Sequence, residues 1–506
     1  MKIDVKKNSK NSIISGIINK FITIMISFIA RAIIINKVGL DFSGIKSLFN
    51  SIIQMLNLLD FGLNETLIYS LYKPIAEDDE RTIRKIISIS KVAYSLFGLL
   101  ILVAGLCMTP FLPIIIKNIN YINLNCYLIY ALVLLDLVAS YFFGAYKSII
   151  LKGYQRYDVL NYANTFISLL FNIFGIAVLL LTHNIYIYLF LSIAFTVMNN
   201  MFISRYVGKR YSNYLVNEIR DFSILDDYKK VTFGLCIRKI CEFTKTSLDN
   251  IYISLFMNVA FIAIYNNYLI IFNGITSLLN LVSGSLLAGI GNRIQTESIE
   301  KNHLELMRIN SIYMTFSAWA SSFLLCMSQP FIEIFFGKGC LLELPSLFLL
   351  VISFYIQKSG NIQWVYTEAN GLFWENKLRY VLESIMHLVT GLLFIKKYGI
   401  NGSILANCLC VFVFGCIYSP WILYKYYFNK GAKEYFNLLF YDLIKFLLSI
   451  FVIYHICSFF AFSGLKKLFI NFLICLFAFP ILYSLLSIKD KTYKESICWA
   501  KEQMRK

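Results

Sequence analysis

The stretch VTFGLCIRKICEFTKTSLDNIYISLFM, residues 231–257, is apolar and long enough to cross a bilayer, yet it holds five ionisable residues. They are Arg238, Lys239, Glu242, Lys245 and Asp249. A charge at the centre of a membrane helix costs roughly 2.5–3.5 kcal/mol. Five cost on the order of 12–17 kcal/mol unless they face water or one another. Arg238, Glu242, Lys245 and Asp249 follow at spacings of four, three and four, which puts them on one face of a helix. Such a stripe needs a polar cavity within the membrane. With Lys239 the set is net basic, which favours an anionic substrate.

The remainder of the chain agrees with a membrane setting. Mean hydropathy is +0.66, hydrophobic residues make up 58% and charged residues 15%. A soluble protein does not have this composition. Few Pro, Gly or Ser tracts interrupt it, so no detachable soluble domain is expected. The basic start MKIDVKKNSKNS leads into an apolar run past Ile35 with no small-residue cleavage site, which reads as a retained first span. Twelve cysteines are scattered without a C-x-x-C pair and read as small apolar packers.

About 20 apolar residues cross a bilayer, and that length predicts fourteen helices. They fall near 12–35, 44–71, 87–108, 126–150, 159–181, 185–206, 231–257, 260–290, 307–329, 344–368, 378–396, 401–424, 441–461 and 467–487. Loops on the side of the termini carry 31 Lys and Arg, against 7 on the other side. That bias places both termini in the cytoplasm. It also accounts for the formal charge of +18 as a topology signal, so nucleic acid is not an expected partner. The outer loops are short, which argues against a membrane polymerase or glycosyltransferase.

The first and seventh spans are alike. Gly16-x3-Lys20 matches Gly234-x3-Arg238, and eleven residues on, Arg31 aligns with Asp249. Eleven residues is three helical turns, so both charges share a face. The second and eighth spans each carry a polar stripe: Asn50, Gln54 and Asn57, then Asn266, Asn273 and Asn280. Repeated halves with polar residues between them are the usual plan of a secondary transporter.

The run VGLDFSGIKSLFNSIIQMLNLLDFGLNETLIYSLYKPIAEDD (38–79) resembles the start of polysaccharide repeat-unit flippases. These belong to the multidrug/oligosaccharidyl-lipid/polysaccharide (MOP) exporter superfamily. Arg31 in the first span, Gly39 and Gly44, and the later segment YGINGSILAN (398–407) are similar as well. The resemblance implies an all-α integral membrane protein of two six-helix bundles around a central cavity, with two extra C-terminal helices. The expected divisions are 1–230, 231–430 and 431–506. It also implies an undecaprenyl-diphosphate-linked oligosaccharide as substrate, moved from the cytoplasmic to the outer leaflet of the bacterial inner membrane. Membrane lipids and other polysaccharide-assembly proteins are the further partners.

A diphosphate held within the membrane needs cations, and the Arg fork bonds phosphate oxygens in pairs. Lys20, Arg31, Arg238, Lys239, Lys245 and Lys358 are the candidates. The alternative is that the cations of 231–257 pair with Glu242 and Asp249 and only fix helix packing, and that Arg31 snorkels to the interface. Lys358 lies mid-span beside Gly360, where the helix can break. The Asn and Gln stripes suit sugar hydroxyls, or else interhelical hydrogen bonds. Asp136, alone in an apolar span, and Glu242 and Asp249 are candidates for ion coupling. Asp60 and Glu65 suit gating or packing, and Glu383 and His387 form an i,i+4 pair. No enzyme, cofactor or metal motif occurs, and the four His are too dispersed for a metal site. A cation-coupled drug exporter of the same fold is the rival reading. It should have an acid-dominated cavity.

Overall fold

The computed structural model describes residues 5–60, 63–117, 124–216, 236–237, 239–241, 243–244, 247–372, 375–460 and 462–505. Among these residues the regular structure is helical throughout, with no strand. Long apolar runs with few breakers leave the backbone to satisfy itself locally, which in lipid only a helix or a closed barrel can do. Ten helices are long and apolar enough to cross a membrane, or eleven if a bent pair is counted as one span. The chain is a multi-pass membrane protein.

The bent pair is Cys126–Tyr141 with Ala145–Gly153, angled at 48°. Gly144, with φ +83°, makes the corner. Two further expected spans are divided. The span expected at 44–71 is cut by a short 3-10 turn, Asn57–Asp60. The one expected at 344–368 is interrupted at Gly360. The one expected at 231–257 is only partly described. Among the described residues ten or eleven spans therefore stand where fourteen are expected.

The chain forms two compact units, Met1–Ala263 and Ile264–Lys506. The first contains α1 (Val5–Lys37), α2 (Leu40–Leu56), α3 (Leu63–Ala76) and α4 (Glu80–Ile115). It continues with α5 (Cys126–Tyr141), α6 (Ser148–Gly153), α7 (Tyr157–Thr182), α8 (Ile185–Arg210) and α9 (Leu248–Phe256). Helix α1 lies along α7, α7 along α8, α8 along α5 and α5 along α4. Helix α2 packs on α9 and approaches the start of α10 (Val259–Thr296). There Gly44 is required, because a Cβ would sit 2.0 Å from the Val259 carbonyl oxygen.

The second unit continues α10 and adds α11 (Ile299–Phe336), α12 (Leu344–Ser359) and α13 (Asn361–Ala369). Then come α14 (Lys377–Tyr398), α15 (Ile400–Phe428), α16 (Lys433–Phe459), α17 (Gly464–Leu486) and α18 (Lys491–Arg505). Helices α16, α17 and α18 all pack on α11. Stacking of Tyr355 on Phe446, with centroids 3.7 Å apart, ties α12 to α16. Outward apolar side chains such as Phe174, Leu181, Phe440 and Phe459 are exposed, as lipid-facing residues are.

Candidate functional site

The first unit holds a partly buried ionic cluster at the break in the second span. Asn57 and Asp60 lie in the 3-10 turn, where short polar side chains compete with the helix for backbone hydrogen bonds. The Lys239 ammonium reaches both oxygens of Asp60 (2.8 and 2.9 Å) and Glu65 Oε2 (2.9 Å). Asp60 is 6% exposed. Glu65 sits in the first turn of α3, where the helix dipole favours an acid. Two tyrosines close the cluster: Tyr94 donates to Asn64 Oδ1 (2.8 Å) and Tyr141 to Asn57 Oδ1 (3.1 Å).

A second polar seam runs along α2. Arg31 on α1 donates to Ser47 Oγ (3.4 Å) and to the Ala263 carbonyl (3.2 Å). Asn250 donates to Ser51 Oγ (2.9 Å), and the Ser247 hydroxyl donates to Gln54 Oε1. Gln54 and Asn57 therefore make interhelical hydrogen bonds, while Asn50 is exposed. Lys20 is exposed on α1, and Asp249 is buried on α9. Ser247 lies in a turn ahead of α9, with φ −123° and ψ −22°, so the stripe expected over 231–257 is interrupted before Asp249. Arg238, Glu242 and Lys245 lie outside the described residues. Asp136 on α5 accepts from Ser192 (2.7 Å) and Thr196 (2.5 Å), both on α8.

The second unit contains a different kind of cation. Lys358, in the last turn of α12, is 3% exposed. Its ammonium donates to Asn280 Oδ1 on α10 (3.2 Å) and lies 5.7 Å from the centroid of the Phe354 ring. Among the described residues it has no acidic partner. Gly360 sets this geometry, since a Cβ there would be 2.5 Å from the Gly415 carbonyl oxygen. Asn273 and Asn280 are exposed on α10, and Asn266 is half-buried. An ammonium turned toward an exposed amide offers an anion a partner without first breaking an ion pair.

Lys445, Asp442, Asp490 and Arg379 of this unit are not among the residues singled out from sequence, whereas Glu383 is. Lys445 on α16 pairs with Asp442 (2.7 Å) and Asp490 (2.8 Å), all three buried. Asp490 also accepts from the Tyr493 backbone N–H (3.1 Å), capping α18. Arg379 lies 3.6 Å from Glu383, one turn before it on α14, and both are buried. The i,i+3 and i,i+4 spacings inside apolar runs are the sequence signal for these groups.

No protein-family model and no curated protein matches the chain by sequence. Solved structures match it by fold. The lipid II flippase MurJ in an inward closed conformation superposes with a TM-score of 0.67 at 13% identity, over 94% of this chain and 99% of that one. An inward-facing MATE-family multidrug resistance transporter of the MOP superfamily gives 0.64 at 13% identity, over 79% and 94%. A MOP-superfamily transporter from Pyrococcus furiosus, described by a binding pocket of reverse polarity, gives 0.51 at 13% identity, over 84% and 97%. The chain has the fold of MOP-superfamily transporters.

Proposed function

We propose that this protein is a flippase of the polysaccharide repeat-unit type. It moves a lipid-linked oligosaccharide diphosphate from the cytoplasmic to the outer leaflet of a bacterial inner membrane by alternating access, with both termini cytoplasmic. The observation that carries the reading is Lys358, a cation buried in a membrane helix with no acid beside it among the described residues. Such a charge is costly in lipid and is kept where it meets an anion. Arg31 on α1, held by Ser47 and Ala263, is the corresponding cation of the first unit. Arg238 and Lys245 extend the proposal to residues outside the described set. The amides of Asn273 and Asn280 suit sugar hydroxyls. An inside-negative potential assists outward movement of an anion by roughly 2.3 kcal/mol per charge per 100 mV.

Lys239 has a different part in this reading. Its two carboxylate partners occupy it, so it serves to hold the seventh segment to the broken second span. The fold likeness to a lipid II flippase supports a lipid-linked substrate. A carrier of cationic drugs would place acids where Lys358 stands. The test is export of surface polysaccharide in cells whose only copy is Lys358→Met, with membrane levels of the protein monitored. Export should be lost with normal protein levels. Full export by that variant would remove Lys358 from the substrate path.

A further inference from the structure

Three cysteines far apart in sequence converge in the second unit. Cys326 lies on α11, Cys457 on α16 and Cys475 on α17. Their Sγ atoms all lie within 4.8 Å of one another, and the residues are 4%, 3% and 0% exposed. A metal–thiolate bond of about 2.3 Å places the sulfurs of a trigonal site about 4.0 Å apart, inside that limit. The triangle is thus close to the size that three sulfurs adopt around one ion.

We propose that Cys326, Cys457 and Cys475 form a binding site for a soft metal ion, with cuprous copper as the fit. The three residues are buried, and thiolates favour soft ions, Cu(I) and Zn2+ among them. Three-coordinate sulfur ligation satisfies Cu(I), whereas Zn2+ in a structural site takes four ligands in a tetrahedron. Charge also balances. The ion enters as +1, two thiols give up their protons and the third ligates as thiol, leaving one net negative charge. Lys467, on α17 ahead of Cys475, lies within electrostatic reach of Cys457 and offsets it.

The surroundings support a built site. Asn471, one turn from Cys475, donates from Nδ2 to the Cys326 carbonyl (2.7 Å), and Trp319 Nε1 donates to the Cys475 carbonyl (2.8 Å). Both bonds fix the backbone that carries the sulfurs, as second-layer contacts do around bound metals. Asn471 is 2% exposed, and its Oδ1 has no hydrogen-bond partner among the described residues. That acceptor is open to the proton of a ligating thiol, not to the ion itself.

The test uses the whole protein purified in detergent, reduced and without oxygen, and loaded with cuprous ion against a chromophoric cuprous chelator. The wild type should retain one ion that the chelator does not remove. Copper X-ray absorption should show three sulfur neighbours and no nitrogen or oxygen. The Cys326→Ser/Cys457→Ser/Cys475→Ser variant should lose that ion. A Cys107→Ser/Cys498→Ser variant, altered at two exposed positions, should keep it. If the triple variant fails to fold, the wild-type spectrum still decides. No retained ion, fewer than three sulfurs, retention by a folded triple variant, or a disulfide between any two of the three would each overturn the proposal.

Discussion

Removing the Lys239 ammonium tests whether the first unit is held together at the break in its second span. In Lys239→Met the side chain keeps its length and loses its charge, which removes one cation from Asp60 and Glu65. Breaking a fully buried pair costs about 3–5 kcal/mol, and an exposed one at most about 1 kcal/mol. The side chains of Lys239, Asp60 and Glu65 are 25%, 9% and 41% exposed, so the Asp60 bond lies near the buried limit and the Glu65 bond near the exposed one. Discounting for the solvent that reaches Lys239 gives a loss of about 2–3 kcal/mol for Lys239→Met. Glu65→Gln should cost under about 1 kcal/mol. In the double variant Lys239→Met/Asp60→Asn no charge is stranded at Asp60, and a coupling of about 1–2 kcal/mol should appear in the cycle. Detergent-induced unfolding of the purified protein in mixed micelles reads all five proteins. A Lys239→Met loss below about 0.5 kcal/mol, or a Glu65→Gln loss larger than that of Asp60→Asn, would refute the reasoning.

Asp79 caps α4, accepting from the Thr82 backbone N–H (3.1 Å) and hydroxyl (2.5 Å), and these bonds hold its carboxyl below the usual value of 3.8. Asp79→Ala should cost roughly 1 kcal/mol. Because the folded value is the lower one, this contribution is complete above 3.8 and disappears as pH falls below it, so wild type and Asp79→Ala should converge in stability in strong acid. Asp136 accepts two hydroxyl bonds from α8, and under the proposed ion-coupling role Asp136→Asn should flatten the pH or sodium dependence of transport. Unchanged dependence in transport assays would assign Asp136 to packing of α5 on α8.

Sequence patterns carried the fold class, because apolar length alone determines what can cross lipid. Local pairs were only partly legible: Glu383 reads from sequence as the partner of His387, whereas the structure sets Arg379, one turn earlier, 3.6 Å from it. The breaks were harder to read. Asn57 and Asp60 read from sequence as polar positions within a continuous helix, although short polar side chains are also what divides one. Ser247 interrupts the charged stripe in the same way, so a spacing argument that assumed one helix does not extend to Asp249. What local pattern cannot show is contact over long separations. Lys239 meets Asp60 across 179 residues, and the three cysteines, read as separate packers, come from three helices. Lys358 was visible as a charge in a span. That no acid lies beside it among the described residues is known only from the packing of α10, α12 and α15.

The central claim is transfer of a lipid-linked anionic saccharide between leaflets. The direct measurement is in proteoliposomes that carry the purified protein and a fluorescent undecaprenyl-diphosphate oligosaccharide in both leaflets, with an impermeant sugar-modifying enzyme added outside. With the wild type nearly all of the lipid should become accessible to the enzyme, while with Lys358→Met and in protein-free vesicles only the outer half should. Accessibility that stays at the outer half with the wild type, together with uptake of a cationic dye driven by an ion gradient, would contradict the account and favour a drug exporter built on the same fold.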